Sequence, residues 1–300
     1  MPATRTSEQR VAVVGLGAIG GLLASEVAGA GHRVTVCVRE PVPGLVLRLS
    51  GRENPVPVEV ATDPEQVAPV DWLLLATKAQ HTAKAAHWLR ALGGPDTVTV
   101  VAQNGIEQRD MAGEFVPPET VLPALAYVSA ERLAPGRVAV HRPGTLAVPE
   151  GPAGARLAGL LSGELLTVRP VPDFHTESWR KLLSNIVVNP ITALTLRRAD
   201  VLREPEIGVL ATELITEAMR VGIAEGARLS PGEVAGMVER FSTFPAAGGS
   251  SMLYDRLAGR DLEHEHLTGA VVRAADRHGI DVPLHRALLA LLRAVDRGAR

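Results

Sequence analysis

"VAVVGLGAIGGLLASEVAGAG", residues 11–31, decides the fold of the first half of the chain. An apolar run (11–15) ends in Gly15. Gly15, Gly17 and Gly20 then keep the spacing G-x-G-x-x-G at the start of a helical stretch that Gly31 closes. In such a turn the first glycine lets the chain reverse tightly and the second lets a pyrophosphate approach the backbone. The third lets the helix pack on the strand, and the helix N-terminus faces the phosphates. The motif alone is weak, but a second β-rich run, "RVTVCV" (33–38), follows at the right distance. Gly15, Leu16, Gly17, Ala18, Ile19 and Gly20 are therefore the candidate cofactor-binding turn.

Further along, "DWLLLAT" (71–77) and "TVTVVAQ" (97–103) are short continuous apolar strands with a helical "AKAAHWLRALG" between them. That alternation indicates a parallel sheet covered on both faces. "LPALAYVS", "GRVAVH", "GTLAVP" and "LLTVRP" follow without clear helices, which predicts that the sheet ends in a mixed or antiparallel portion. From about residue 175 the patterns are helical, over 177–196, about 206–228, 231–242, 250–258, 262–278 and 284–297. The turn-rich "VPDFHT" (171–176) marks the junction. The fold class is α/β: an N-terminal Rossmann dinucleotide-binding domain (1–174, with 1–10 expected to be flexible) and a C-terminal all-helical domain (175–300).

The end of the second strand bears on the cofactor. An NAD-selective site places an acidic residue there to hold the ribose 2′-hydroxyl; this chain has Arg39, whose guanidinium suits a 2′-phosphate, so NADPH/NADP is expected. Glu40 follows, and if it pointed inward instead the preference would weaken. Lys78 follows "LLLAT" and Asn104 follows "TVTVVAQ", both beyond the carboxyl ends of strands, where open parallel sheets bind ligands. Asn104 is equally the first residue of a turn-forming Asn-Gly pair.

Composition narrows the class. With 46% hydrophobic residues, 300 positions suffice for two domains, and a net charge of −2 offers nothing to nucleic acid or an anionic membrane. One cysteine, Cys37 in an apolar strand, excludes an internal disulfide framework and suits a reducing cytoplasm, the expected location. No apolar stretch approaches the ~20 residues of a membrane span. Of 31 Lys plus Arg only Lys78, Lys84 and Lys181 are lysines, and only Asn54, Asn104, Asn185 and Asn189 are asparagines. In a chain that prefers arginine, a retained lysine marks a place where a transferable proton matters.

Lys181, Asn185 and Asn189 recur every four residues in the apolar "WRKLLSNIVVNP" (179–190), so they share one helix face, drifting about 80° over the two steps. A polar edge on an amphipathic helix would look the same. Glu263 precedes Leu267, Ala270, Val271 and Ala274 at helical spacing, which puts it on an apolar face or in a first turn complementing the dipole. Ser250 and Ser251 read as N-cap residues. "HEH" (264–266) places two histidines on different helix faces and makes no metal site.

"ESWRKLLSNIVVNPITAL", "SSMLYDRLAGRDLE", "GLGAIG", Arg39, "TKAQ" and "QNGIE" together resemble the ketopantoate reductase (2-dehydropantoate 2-reductase) family over residues 11–290. The resemblance implies NADPH-dependent reduction of a 2-oxo acid to a 2-hydroxy acid, most directly ketopantoate to pantoate, in a cleft between the two domains. By it, Lys181 is the proton donor and Glu263 an orienting carboxylate that also meets the cofactor. Asn185, Asn189 and Ser251 bind substrate, and Asn104 touches both substrate and cofactor. Arg39, Lys78 and Ala130 contact cofactor. A small 2-oxo acid is the expected partner, with a homodimer as an allowed assembly. Ala199, Gly248 and Thr268 stand where the family usually has Asn, and "VPE" (148–150) replaces a glycine-containing turn, so the reaction type is marked more firmly than the substrate. A different 2-oxo acid, or a regulator that senses the dinucleotide without catalysis, is the rival reading; retention of Lys181 and Glu263 speaks against the regulator.

Overall fold

The computed structural model describes residues 7–298. The chain divides between Phe174 and His175 into two compact units. The first opens with β1 (Arg10–Val14), α1 (Ala18–Gly29) and β2 (Arg33–Cys37), then β3 (Leu45–Leu49), β4 (Arg52–Val56) and β5 (Glu59–Ala61). β6 (Trp72–Leu75), α2 (Ala86–Leu92), β7 (Val98–Val101), α3 (Gln108–Gly113) and β8 (Val121–Pro123) follow. A long hairpin, β9 (Leu125–Ala134) and β10 (Arg137–Pro149), leads to α4 (Pro152–Leu160) and β11 (Leu166–Val171).

Six strands form a wholly parallel sheet in the order β5-β2-β1-β6-β7-β8. The order reverses between β1 and β6, so the crevice at their carboxyl ends is the topological switch point. Strand alternation sends Val11 and Val13 to one face and Ala12 and Val14 to the other. On the first face lies α1, whose Leu22, Leu23, Ala24 and Val27 are buried; on the second lies α2 with Trp88, Leu89 and Leu92.

α1 is apolar nearly all round because it is covered twice. Its outer side packs on a second, five-stranded sheet made of β11, β10, β3, β4 and β9, through Leu45, Leu47, Val138 and Val140. The strands after residue 120 were expected to extend the first sheet; apart from short β8 they build this separate one. β10 makes that possible by its length, pairing β3 with its first residues, β11 with its last and β9 along the other edge. Glu26 of α1 is buried, and its carboxylate accepts the backbone N–H groups of Gly163 (2.8 Å) and Leu165 (2.9 Å), fixing the turn into β11.

The expected flexible stretch 1–10 falls in part on residues 1–6, which lie outside the described residues. Gln9 and Arg10 are already in the fold: the Gln9 carbonyl accepts from Arg33 N–H at 3.0 Å, and Arg10 N–H donates to Asp71 at 2.8 Å.

The second unit is helical. α5 (Phe174–Thr195), α6 (Pro205–Ala224), α7 (Pro231–Ser242), α8 (Ser251–Leu257), α9 (Thr268–His278) and α10 (Pro283–Gly298) make it up, with a 3-10 turn at His264–His266. The helix predicted over 262–278 begins only at Thr268, so Glu263 lies on no helix face. Long-range bonds from α10 hold the preceding segment aside. Asp296 accepts the Leu262 N–H at 2.9 Å, and Arg293 clasps the Glu265 carboxylate at 2.6 and 2.9 Å. Among the described residues no helix is long and apolar enough to cross a membrane, and no His/Cys/Asp/Glu cluster is arranged to hold a metal.

Candidate functional site

At the carboxyl edge of the parallel sheet the glycine turn is fitted to its place atom by atom. Gly15 has φ +100°, a conformation L side chains rarely adopt, and its N–H donates to the Cys37 carbonyl of β2 at 3.1 Å. A Cβ on Gly20 would lie 1.9 Å from the Gly15 carbonyl oxygen, so only glycine lets α1 start this close to the turn. A Cβ on Gly17 would meet nothing within 4 Å: the space over the second glycine is open. Gly17 is the N-cap of α1, no side chain caps that end, and no acidic residue sits in the first turn. An open cradle over a helix N-terminus that carries no anion of its own fits a dinucleotide pyrophosphate.

Around this turn, Leu16 is buried in the core, while Ala18 and Ile19 open α1 and are partly buried. Arg39 lies two residues past the β2 carbonyl that holds Gly15. It is exposed in a bend with Glu40, and its side chain pairs with no other described residue. Lys78, half-buried, follows β6 and precedes a 3-10 turn, Ala79–His81. Asn104, also half-buried, follows β7 in a bend that Gly105 closes with φ +98°. Gly15, Arg39, Lys78 and Asn104 thus share one rim. Ala130 does not: it is on β9 of the second sheet, opposite Val140, with its methyl against the core around α1.

In the helical unit, α5 carries Lys181, Asn185 and Asn189 as the four-residue spacing requires. Burial pulls the Lys181 ammonium down from 10.5 to about 8, opposed by the Glu263 carboxylate, whose negative charge favours the protonated form. Glu263, 3% exposed, is thereby coupled electrically to Lys181 from the residue before the 3-10 turn. An amine poised near 8 releases and regains a proton far more readily than a solvated lysine.

The two asparagines differ. Asn189 is buried and its amide is committed: Oδ1 accepts from the Ser251 hydroxyl at 3.0 Å and from the Met252 N–H at 3.2 Å. Its Nδ2 donates to the Asn185 carbonyl at 3.2 Å. The half-buried Asn185 side chain has no hydrogen-bond partner among the described residues, so its amide is available to a ligand. Ser250 is the N-cap of α8, accepting from Leu253 N–H at 3.0 Å, and shares a 2.7 Å hydrogen bond with Thr192. Asn189 and Thr192 together seat the start of α8 on α5, which presents the exposed Ser251. Thr192 had no signal in the sequence beyond its place three residues after Asn189.

The departures from the expected pattern are placed too. The Ala199 N–H donates to the Gly248 carbonyl at 2.8 Å, so two of the positions without amides adjoin. Thr268, fully buried, opens α9 with its hydroxyl unpartnered among the described residues.

Comparison with known proteins is consistent across sequence and structure. Family models described as ketopantoate reductase PanE/ApbA and its C-terminal part match residues 11–153 and 173–296. A 2-dehydropantoate 2-reductase from Mycobacterium tuberculosis is 39% identical over 96% of this chain and 98% of that protein. One from Caulobacter vibrioides is 36% identical over 95% and 98%. Among solved structures, a ketopantoate reductase from Ralstonia eutropha JMP134 superposes with a TM-score of 0.87 at 28% identity, covering 97% of this chain and 99% of that one. A dimeric ketopantoate reductase from Staphylococcus aureus gives 0.86 at 25% identity, covering 97% and 100%. With both units matched in order and nearly end to end, the chain belongs to the ketopantoate reductase family of oxidoreductases.

Proposed function

We propose that this chain reduces a 2-oxo acid, most directly ketopantoate to pantoate, with NADPH as reductant and Lys181 as proton donor. The observation that carries the reading is Lys181 itself: an amine held near 8 by burial, facing the charge of Glu263, on the same helix face as the Asn185 amide, which has no partner among the described residues. Bound NADPH supplies a hydride to the carbonyl carbon. Lys181 hydrogen-bonds the carbonyl oxygen, stabilises negative charge as it develops there, and passes its proton to that oxygen. Glu263 keeps the amine protonated and oriented. Asn185 binds a polar group of the substrate without adding charge, and Ser251, held by Asn189, offers a second contact.

The glycine turn and Lys78 serve the dinucleotide phosphates, Arg39 the 2′-phosphate, and Asn104 the nicotinamide end of the site. A homodimer is part of this reading, supported by the dimeric Staphylococcus aureus relative, and sedimentation of the purified chain tests it. The adjoining Ala199 and Gly248 favour a second reading within the same chemistry, a substrate with fewer polar groups than ketopantoate. Following NADPH oxidation at 340 nm against ketopantoate and a panel of branched 2-oxo acids tests both. Turnover of ketopantoate above all others supports the first, preference for 2-oxoisovalerate the second, and no turnover with any 2-oxo acid refutes the reductase.

A further inference from the structure

Three loops leave the carboxyl ends of β1, β6 and β7, and one buried amide joins them. Gln103, 3% exposed, ends the stretch after β7 immediately before Asn104. Its Nε2 donates to the Thr77 carbonyl (3.1 Å) and hydroxyl (3.0 Å) in the loop after β6, one residue before Lys78. It also donates to the Thr82 hydroxyl at 3.0 Å, which in turn donates to the Ala79 carbonyl at 2.9 Å. The Thr77 carbonyl can only accept, which fixes which way the amide faces. Thr77 also abuts the glycine turn: a Cβ on Gly15 would lie 2.8 Å from both its Cγ2 and its N. From the other side, Gln108 Nε2 donates to the Gln103 carbonyl at 2.5 Å and to the Ala124 carbonyl at 3.3 Å, so the segment holding Gln103 is itself pinned.

We propose that Gln103 is the positioning residue of the dinucleotide site: its amide holds the loops bearing Gly15, Lys78 and Asn104 in one binding-competent arrangement across the β1/β6 switch point. This rests on the NADPH reading above. Gln103 is too enclosed to be a ligand contact and acts through its neighbours. Without its donors, the Thr77 loop loses the bond that sets it against Gly15, and the competent arrangement becomes one of several. Apparent affinity then falls by the fraction of time the loops are out of place.

The test is titration of the full chain with NADPH, read by the change in nucleotide fluorescence, with steady-state kinetics and melting alongside. Gln103→Met keeps length and volume but has no N–H, and its Kd and KM for NADPH are expected to rise about tenfold. kcat at saturating NADPH stays within about twofold, because the bound cofactor re-forms the arrangement. Gln103→Glu should bind at least as weakly as the Met variant, since its oxygens face the Thr77 carbonyl. Thr99→Val is the control: Thr99 is buried on β7 with a hydroxyl that has no partner among the described residues, and its replacement should leave Kd unchanged. If Gln103→Met does not fold, Thr82→Val removes one partner only and should raise Kd about threefold. A folded Gln103→Met or Thr82→Val chain with unaltered NADPH affinity overturns the inference and leaves the proposed function standing. An unsubstituted chain that binds neither NADPH nor NADH overturns both.

Discussion

Replacing Lys181 by methionine should make the protein more stable, and the size of the gain is set by the local electrostatics. The fall in the lysine's pKa from 10.5 to about 8, at 1.36 kcal/mol per pKa unit, amounts to about 3 kcal/mol against the charged form in the folded state. Lys181 keeps some solvent contact, so screening makes this an upper bound, and the expected gain lies between about 1 and 3 kcal/mol. The pH dependence has a definite sign. Below about pH 8 both folded and unfolded chains hold the proton, and the folded state carries the full penalty. Between about 8 and 10.5 the unfolded chain holds the proton more tightly, so stability of the unsubstituted protein rises with pH through that window. Methionine has no proton to lose. Its advantage should therefore be full near pH 7 and reduced to roughly a quarter by about pH 10. Urea denaturation of both proteins at the two pH values, followed by far-UV circular dichroism, measures it. A methionine variant less stable near neutral pH, or an advantage equal at both, would refute the account of a charge held at a cost.

Arg39→Ala should erase most of the preference for NADPH over NADH, a loss of roughly ten- to a hundredfold in NADPH affinity if the guanidinium pairs with the 2′-phosphate; equal affinities in the unsubstituted protein would sink that role. Gly20→Ala cannot be accommodated without moving backbone, because the new Cβ would meet the Gly15 carbonyl at 1.9 Å, so both melting temperature and nucleotide binding should fall. Asn185→Ala and Asn189→Ala should separate cleanly. The first removes an amide with no hydrogen-bond partner among the described residues and should raise substrate KM with little change in melting temperature. The second leaves Ser251 and the Met252 N–H unpaired and should destabilise by about 1–3 kcal/mol.

How much of this was readable from sequence depends on how local the cause is. The β1–α1 turn was legible because its glycines answer to neighbours a few residues away: Gly20 is small because Gly15 is beside it. The four-residue spacing put Lys181, Asn185 and Asn189 on one face for the same reason. It could not tell that the Asn189 amide is taken up by Ser251 and Met252, more than sixty positions on. Glu263 was misplaced on a helix because the apolar period after it continues backwards by chance, whereas Asp296 and Arg293 decide the path. The second sheet was hidden because a strand's composition does not say which edge it pairs with; only the length of β10 lets one strand serve three partners. Gln103 was visible as part of "QNG", but its reach to Thr77 and Thr82 is a property of the folded sheet edge.

The central claim, that Lys181 gives the proton, is tested most directly by the pH dependence of kcat/KM for ketopantoate reduction in the unsubstituted protein and in Lys181→Arg. A general acid must be protonated to act, so the rate should hold steady below about pH 8 and fall tenfold per pH unit above it. Arginine keeps its proton throughout and cannot hand it over, so the variant should lose at least about a hundredfold in kcat and show no such alkaline limb. Near-normal turnover with arginine at 181, or the same alkaline limb in both proteins, would contradict the assignment.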